Sequence, residues 1–366
     1  MREPRSLDEL FTPCAVVDLD RMSANLDKMA SYTAQHRLSL WPHTKTHKTP
    51  ELAHEQLRRG ASGVTVATLH EAEVMSSVSE NILLAYPPVS YPKLQRLIPI
   101  AEKVNLTIAV DSLEALEGVQ RTLERTNARV SVLVEIDAGM HRVGAVTPAD
   151  AIAVARKLGD STNTRFAGVL FYPGHIRQHV EEQKHDIAST RALINEFLSE
   201  FVAGGLAPAR VSGGSTPTAY ASHNFDGVTE IRPGTYIFND RTTAAMGACD
   251  WSECAYSILA TVVSTSVAKQ AVVDAGSKAV FKEELRGVPN GEGFGALLDR
   301  PDVVVKSMSE EHGILDLSRS TWRPRVGDRV RIVPNHVCVS VNLHQRLWLE
   351  RDGELQGNYE IAARGW

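Results

Sequence analysis

The chain has little of what would mark several large classes of protein. Four cysteines, Cys14, Cys249, Cys254 and Cys338, are scattered through 366 residues, too few for a disulfide framework in a chain this size. No apolar run reaches the roughly 18 residues of a membrane span. The opening "MREPRSLDELFTP" has no apolar core of a secretory signal. The formal charge of -5 comes from 39 basic and 44 acidic residues without a block of either sign, so neither nucleic acid nor an anionic membrane is expected as partner. There is no fixed-period repeat and no low-complexity tract. What remains is a composition of 43% hydrophobic and 23% charged residues, ordinary for a globular protein with a large core. A cytoplasmic enzyme is the expectation, and the length suggests two domains.

What recurs is a unit: a short β-rich run followed by helical spacing. The runs are 38–45, 63–68, 81–86, 105–111, 129–137, 165–172, 210–214 and 230–238. Several are nearly continuous in Val, Ile and Leu, as in strands buried on both faces. Amphipathic stretches such as "PELAHEQLRRG" and "SLEALEGVQRTLERT" lie between them. Alternation of this kind predicts a parallel sheet, and eight strands in about 230 residues match a (β/α)8 barrel of the TIM type. After about residue 250 the texture changes to strands joined by short turns, among them "YSILATVVSTSV" and "DRVRIVPNHVCVSVNL". The expected organisation is a barrel over 15–248 and a mainly antiparallel β domain over 249–366, joined by residues 1–14.

Chemistry in such barrels gathers at the C-terminal strand ends. Lys45 closes the first run, within "WPHTKTHKTPEL". A lysine there can form a Schiff base with pyridoxal 5′-phosphate (PLP) or a carbonyl substrate; a surface lysine on a loop is the alternative. His43 and His47 are candidates for ordering it, and Lys48 reads as a solvated neighbour. "VSGGSTPT" ends the seventh run, where barrels often bind phosphate. Gly213 and Gly214 let backbone N–H groups approach an anion, and Ser215, Thr216 and Thr218 bring hydroxyls. Arg142 follows the fifth run and suits the phenolic oxygen of PLP or a surface ion pair. Tyr172 and His175 end the sixth, facing ring or substrate, or else being a packed tyrosine and a solvated histidine. His336 and Cys338 stand two apart on an expected strand, so both would point to one face. Imidazole and thiolate together suit zinc; a chance pair with a buried cysteine is the alternative.

In order, "TPCAVVDLD", "PHTKTHKTPELA", "GVTVATLHEAE", "EIDAGMHRVG", "GGSTPT", "RPGTYIFND", "VVDAGSKA", "SEEHG" and "PNHVCVSVN" resemble the D-serine dehydratase and D-threonine aldolase family. The resemblance runs from about residue 12 to 345. It implies a PLP enzyme of the alanine-racemase fold type, working as a homodimer on a small D-amino acid. It implies that Lys45 carries PLP, that Arg142 contacts it and that the 213–218 loop binds its phosphate. Arg232, in "IRPG", corresponds to an arginine that racemases place against the pyridine nitrogen. Tyr236, in the same motif, is a further cofactor candidate. His336 and Cys338 are implied ligands of a divalent metal, Zn2+ foremost, with Mn2+ and Mg2+ as alternatives. Within the family the aldolases read His-x-Asp and the dehydratases His-x-Cys. This chain reads His-x-Cys, which leans toward C–O elimination, with Lys45 as general base. Retro-aldol cleavage, with His175 or a metal-bound hydroxide as base, is the alternative; a racemase or a non-catalytic PLP-binding protein fits less well.

Overall fold

The computed structural model describes residues 4–287 and 292–366. The chain forms two compact units: one takes the N-terminal residues to Lys28 together with Thr235–Arg364, the other Met29–Gly234. A strand of the first unit, β1 (Cys14–Asp18), precedes a helix over Leu19–His36 that carries the chain into the second.

The second unit is the expected barrel. Its strands are β2 (Ser39–Leu40), β3 (Val64–Val66), β4 (Asn81–Leu84), β5 (Asn105–Val110), β6 (Val130–Glu135), β7 (Thr164–Leu170), β8 (Arg210–Gly213) and β9 (Glu230–Ile231). They pair in parallel in the order β2-β9-β8-β7-β6-β5-β4-β3. Closure comes where β2 has nominally ended. His43 bridges Thr65 in parallel, and Ser62 N–H and Thr65 N–H donate to Leu40 O and Pro42 O at 2.8 and 2.9 Å. The apolar runs explain the buried layers: every residue of β6 is buried, and Trp41, Leu83, Ala109, Leu133 and Leu170 form one cluster inside the barrel. Helices start where the sequence marks them. Pro50 opens Pro50–Arg58 from a position whose N–H is not needed, and Thr68 caps Leu69–Met75 by accepting from Glu71 N–H. The runs 38–45 and 230–238 are the least strand-like of the eight: two residues of each form the strand, and 3-10 turns follow over Thr44–Thr46 and Thr235–Ile237.

The first unit is a nine-stranded sheet. After β1 it uses β10 (Tyr256–Ser264), β11 (Gln270–Val273), β12 (Gly295–Leu297), β13 (Arg300–Met308), β14 (Gly313–Asp316), β15 (Arg329–Pro334), β16 (Arg346–Arg351) and β17 (Glu354–Glu360). The order is β11-β14-β13-β12-β15-β10-β1-β16-β17, and β11 also pairs with β10, which closes six strands on themselves. All pairings are antiparallel except β1 with β16. One expectation is corrected. The stretch "DRVRIVPNHVCVSVNL" is not a single strand: β15 stops at Pro334, and Val337–Val341 is a short helix with His336 at its N-cap. Its valines favour a strand by propensity, and tertiary context overrides them. Among the described residues, no helix is long and apolar enough to cross a membrane.

Candidate active site

The polar burst after β2 folds inward. A 3-10 turn over Thr44–Thr46 presents Lys45. Thr44, Thr46, His47 and Thr49 are wholly buried around it. His47 Nε2 lies 3.2 Å from Gln56 Oε1, and its Nδ1 accepts from Thr49 N–H at 3.1 Å. Burial pushes the His47 imidazole down to about 4, so it stays neutral. Lys48 is not the solvated neighbour that its loop position suggests. It is 8% exposed, and its Nζ donates to Glu71 Oε1 at 2.7 Å, while Glu71 Oε2 accepts from Ala67 N–H at 2.6 Å. The turn is pressed against the Pro233–Gly234 backbone. His43 N–H donates to Pro233 O at 3.0 Å, and a Cβ on Gly234 would stand 2.6 Å from Thr46 Oγ1.

Lys45 lines a cavity of about 470 Å3 at the C-terminal ends of the strands, with His43, Glu135, Arg142, Tyr172, Gly214 and Arg232. They come from five strand ends, those of β2, β6, β7, β8 and β9, as expected of a barrel mouth. Arg232 is 6% exposed; its guanidinium donates to Ser212 Oγ at 2.5 Å and to Phe171 O at 2.9 Å. Burial lowers it to about 10, so it is still charged at neutral pH. Arg142 stands over the Tyr172 ring, 5.2 Å from the centroid. Its loop is pinned by Asp137, which accepts from Gly139 N–H, His141 N–H and His141 Nδ1 at 3.0, 3.0 and 2.7 Å. Burial alone would raise the Asp137 carboxyl, but these bonds hold it below its ordinary value.

Two features of this mouth fit PLP. The first is an anion cradle after β8. Gly214 takes φ +88, and a Cβ on Gly213 would run into the Phe171 ring. Glycine is required at both places, for conformation and for space. Ser215 and Thr216 are buried beside them, with Ser215 Oγ 3.0 Å from Thr218 Oγ1. The second is His43 Nδ1, a buried ring nitrogen with no hydrogen-bond partner among the described residues. Burial foremost, then Lys45 and Arg232, hold His43 well below the ordinary imidazole value. An unpaired polar atom in a cofactor-sized cavity is costly unless a ligand meets it.

The remaining candidates are elsewhere. His175 is exposed, packs its ring on Gly139 and lies 3.3 Å from Thr190 Oγ1, away from the cavity lining. Tyr236 is 2% exposed within the 3-10 turn of the other unit. In that unit His336 and Cys338 are brought together by a helix cap and first turn, not by strand alternation. His336 Nδ1 stands 3.1 Å from Asp240 Oδ2, which also accepts from Val337 N–H at 3.1 Å. Burial lowers the imidazole, but the Cys338 sulfur and the Asp240 carboxylate outweigh it, and its pKa is raised well above the ordinary value. An Asp on Nδ1 leaves Nε2 for a metal, the usual arrangement around ligating histidines. Among the described residues, no group of three or more His, Cys, Asp or Glu is placed to hold a metal ion. Asp240 and Glu135 were not singled out by sequence. The one signal for Glu135 is an acid closing the apolar run "RVSVLVE".

A lysine and a glycine-lined turn at the strand ends of a β/α barrel, joined in one chain to an antiparallel β unit, are the parts expected of a PLP enzyme of the alanine-racemase fold type. The model described as alanine racemase, N-terminal domain, matches residues 17–242, and the putative serine dehydratase domain matches 255–349. The D-threo-3-hydroxyaspartate dehydratase of Delftia sp. (strain HT23) is 34% identical over 90% of this chain and 92% of its own. The D-threonine aldolase of Arthrobacter sp is 30% identical over 98% of this chain and 94% of its own. The crystal structure of D-threonine aldolase from Filomicrobium marinum matches with a TM-score of 0.90 at 29% identity, covering 100% of this chain and 99% of that one. The chain belongs to the D-serine dehydratase and D-threonine aldolase family of PLP-dependent lyases.

Proposed function

We propose that the chain is a PLP- and metal-dependent lyase of D-configured β-hydroxy-α-amino acids, of the D-serine/D-threonine dehydratase type, releasing ammonia and a 2-oxo acid. The observation that carries the reading is the convergence of Lys45, Arg142, Arg232 and Gly214 on one cavity. PLP, when bound, supplies the electron sink that makes the substrate α-proton acidic. Lys45 is its attachment point and, once displaced, the general base for that proton. Arg142 would donate to the phenolic oxygen, and the backbone at Gly213, Gly214, Ser215 and Thr216 would hold the phosphate. Arg232 presents only donors to the ring nitrogen, which keeps that nitrogen unprotonated and the ring a weaker sink.

A weaker sink raises the value of a Lewis acid. His336 and Cys338 hold a divalent metal in this reading, zinc suiting the donor pair best. A metal held there would supply Lewis acidity toward the substrate β-hydroxyl. Asp240 orients the His336 ring for that task. The enzyme works as a cytoplasmic homodimer, as members of its family generally do.

His-x-Cys and the 34% identity to a dehydratase favour elimination. The match over 98% of the chain to a D-threonine aldolase favours retro-aldol cleavage as the second reading. Product analysis with D-threonine, PLP and zinc separates them. 2-Oxobutanoate and ammonia are expected; glycine and acetaldehyde would establish the aldolase. Failure to turn over D-serine, D-threonine and D-3-hydroxyaspartate alike would overturn both. Lys45→Ala should lose the visible absorption of bound PLP, and its survival would move the attachment elsewhere.

A further inference from the structure

Buried acids in this chain come clamped. Glu71 is held by Lys48 at 2.7 Å, Glu230 by Arg210 at 2.8 Å and Glu350 by Arg331 at 2.6 Å. Glu135 differs. It is 6% exposed, its carboxyl has no ion-pair or hydrogen-bond partner among the described residues, and it lines the cavity that Lys45 lines. An acid nine-tenths buried is seldom left without a partner. One that faces a cavity is placed for a ligand or for a proton.

The charges around it set what it can do. Arg232, after β9, and Arg142, in the loop after β6, attract its ionised form. Asp111, at the end of β5, and Asp137, just beyond β6, oppose that form. Lys45 and His43, after β2, share the same cavity, as does Tyr172, after β7. Neither arginine lies close enough to form an ion pair with the carboxyl, so attraction does not cancel the cost of burial. That cost dominates and raises Glu135 to about 7. The cavity therefore carries an acid that is half ionised at neutral pH.

We propose that Glu135 is a proton-linked control of anion binding in the cofactor cavity: neutral, it leaves Arg142 and Arg232 free to attract a phosphate or carboxylate, and ionised, it opposes both. The inference rests on the PLP reading of this cavity. Anion entry then favours the protonated carboxyl, so binding draws in a proton where the free protein has lost it. Below pH 7 the carboxyl already holds its proton and no uptake occurs. Above pH 7 uptake approaches one proton per site, and each further pH unit weakens anion binding up to about tenfold, until the carboxyl of the bound form ionises too. Glu135 acts here through the charge of its neighbours, as a positioning and tuning residue.

The test uses pyridoxine 5′-phosphate, which has the ring and phosphate but no aldehyde, so no bond to Lys45 complicates the affinity. It is titrated calorimetrically into cofactor-free protein from pH 6 to 9, in buffers of different ionisation enthalpy. The same titration of Glu135→Gln removes the carboxyl and keeps the ligand's own phosphate ionisation as a common background. The ratio of wild-type to variant Kd should be flat below pH 7 and rise above it by up to about tenfold for each pH unit. Wild-type protein should take up a proton at pH 8 that the variant does not. A ratio independent of pH with both proteins binding overturns the role of Glu135 and leaves the PLP reading intact. Absence of binding by wild type to both this probe and PLP overturns the two together. If Glu135→Gln does not fold, the wild-type proton count decides alone: no excess uptake at pH 8 over pH 6, after subtracting the ligand's own, overturns the proposal.

Discussion

Lys48 and Glu71 form an ion pair in the barrel wall, Nζ to Oε1 2.7 Å, with side chains 10% and 1% exposed. The lysine follows the Lys45 turn by two residues and adopts φ +54. It thus fastens the Lys45 turn to the helix Leu69–Met75. Removing one partner of such a pair strands the other charge, at a cost of about 3–5 kcal/mol. Lys48→Ala should lower the thermal midpoint markedly. Lys48→Met combined with Glu71→Leu should recover much of the loss, because no buried charge remains. A double replacement as damaging as the single one would mean that the pair acts through more than its charges.

Acid should unfold the Lys45 turn through His47. Its folded pKa of about 4 lies below the ordinary imidazole value of 6.5. A histidine held neutral contributes stability that is complete above 6.5 and is lost as pH falls toward 4. The shift is worth about 3 kcal/mol across that window. Thermal melts between pH 7 and 4 should therefore fall less steeply for His47→Asn than for wild type. Parallel slopes would assign the acid sensitivity to other groups.

On the metal reading, Asp240→Asn leaves His336 a hydrogen bond but not the charge that favours its orientation. Loss of such a partner lowers metal affinity about 10–100-fold. Equilibrium dialysis with zinc measures this directly. Because the imidazole must lose its proton to bind a metal, and its pKa is raised, wild-type affinity should climb as pH rises. Affinity unchanged in Asp240→Asn would remove the carboxylate from the metal site.

The barrel was legible because both faces of its strands are buried, and "LSLW", "NLTIAVD" and "RVSVLVE" state that plainly in their side chains. Lys45, Arg142 and Gly214 were legible for a second reason: each stands at a strand end, where barrel geometry assigns a place. Lys48 was not, because burial of a charge depends on a partner 23 residues away, and Glu71 carries no local sign of it. Glu135 was hidden in a motif valued for its arginine. The expected strand placement of His336 and Cys338 fails, since "VCVSV" has the propensity of a strand and the structure of a helix.

β1 carries a consequence for the order in which the molecule is made. It lies between β10 and β16, antiparallel to one and parallel to the other. Its five residues leave the ribosome before its two neighbours, since Tyr256 and Arg346 follow some 240 and 330 positions later. Until then a nearly continuous apolar strand, "CAVVD", has two unpaired edges, the condition that invites association between chains. A nascent or truncated chain that stops short of Tyr256 is thus a candidate for chaperone capture or aggregation, even with every barrel strand already synthesised.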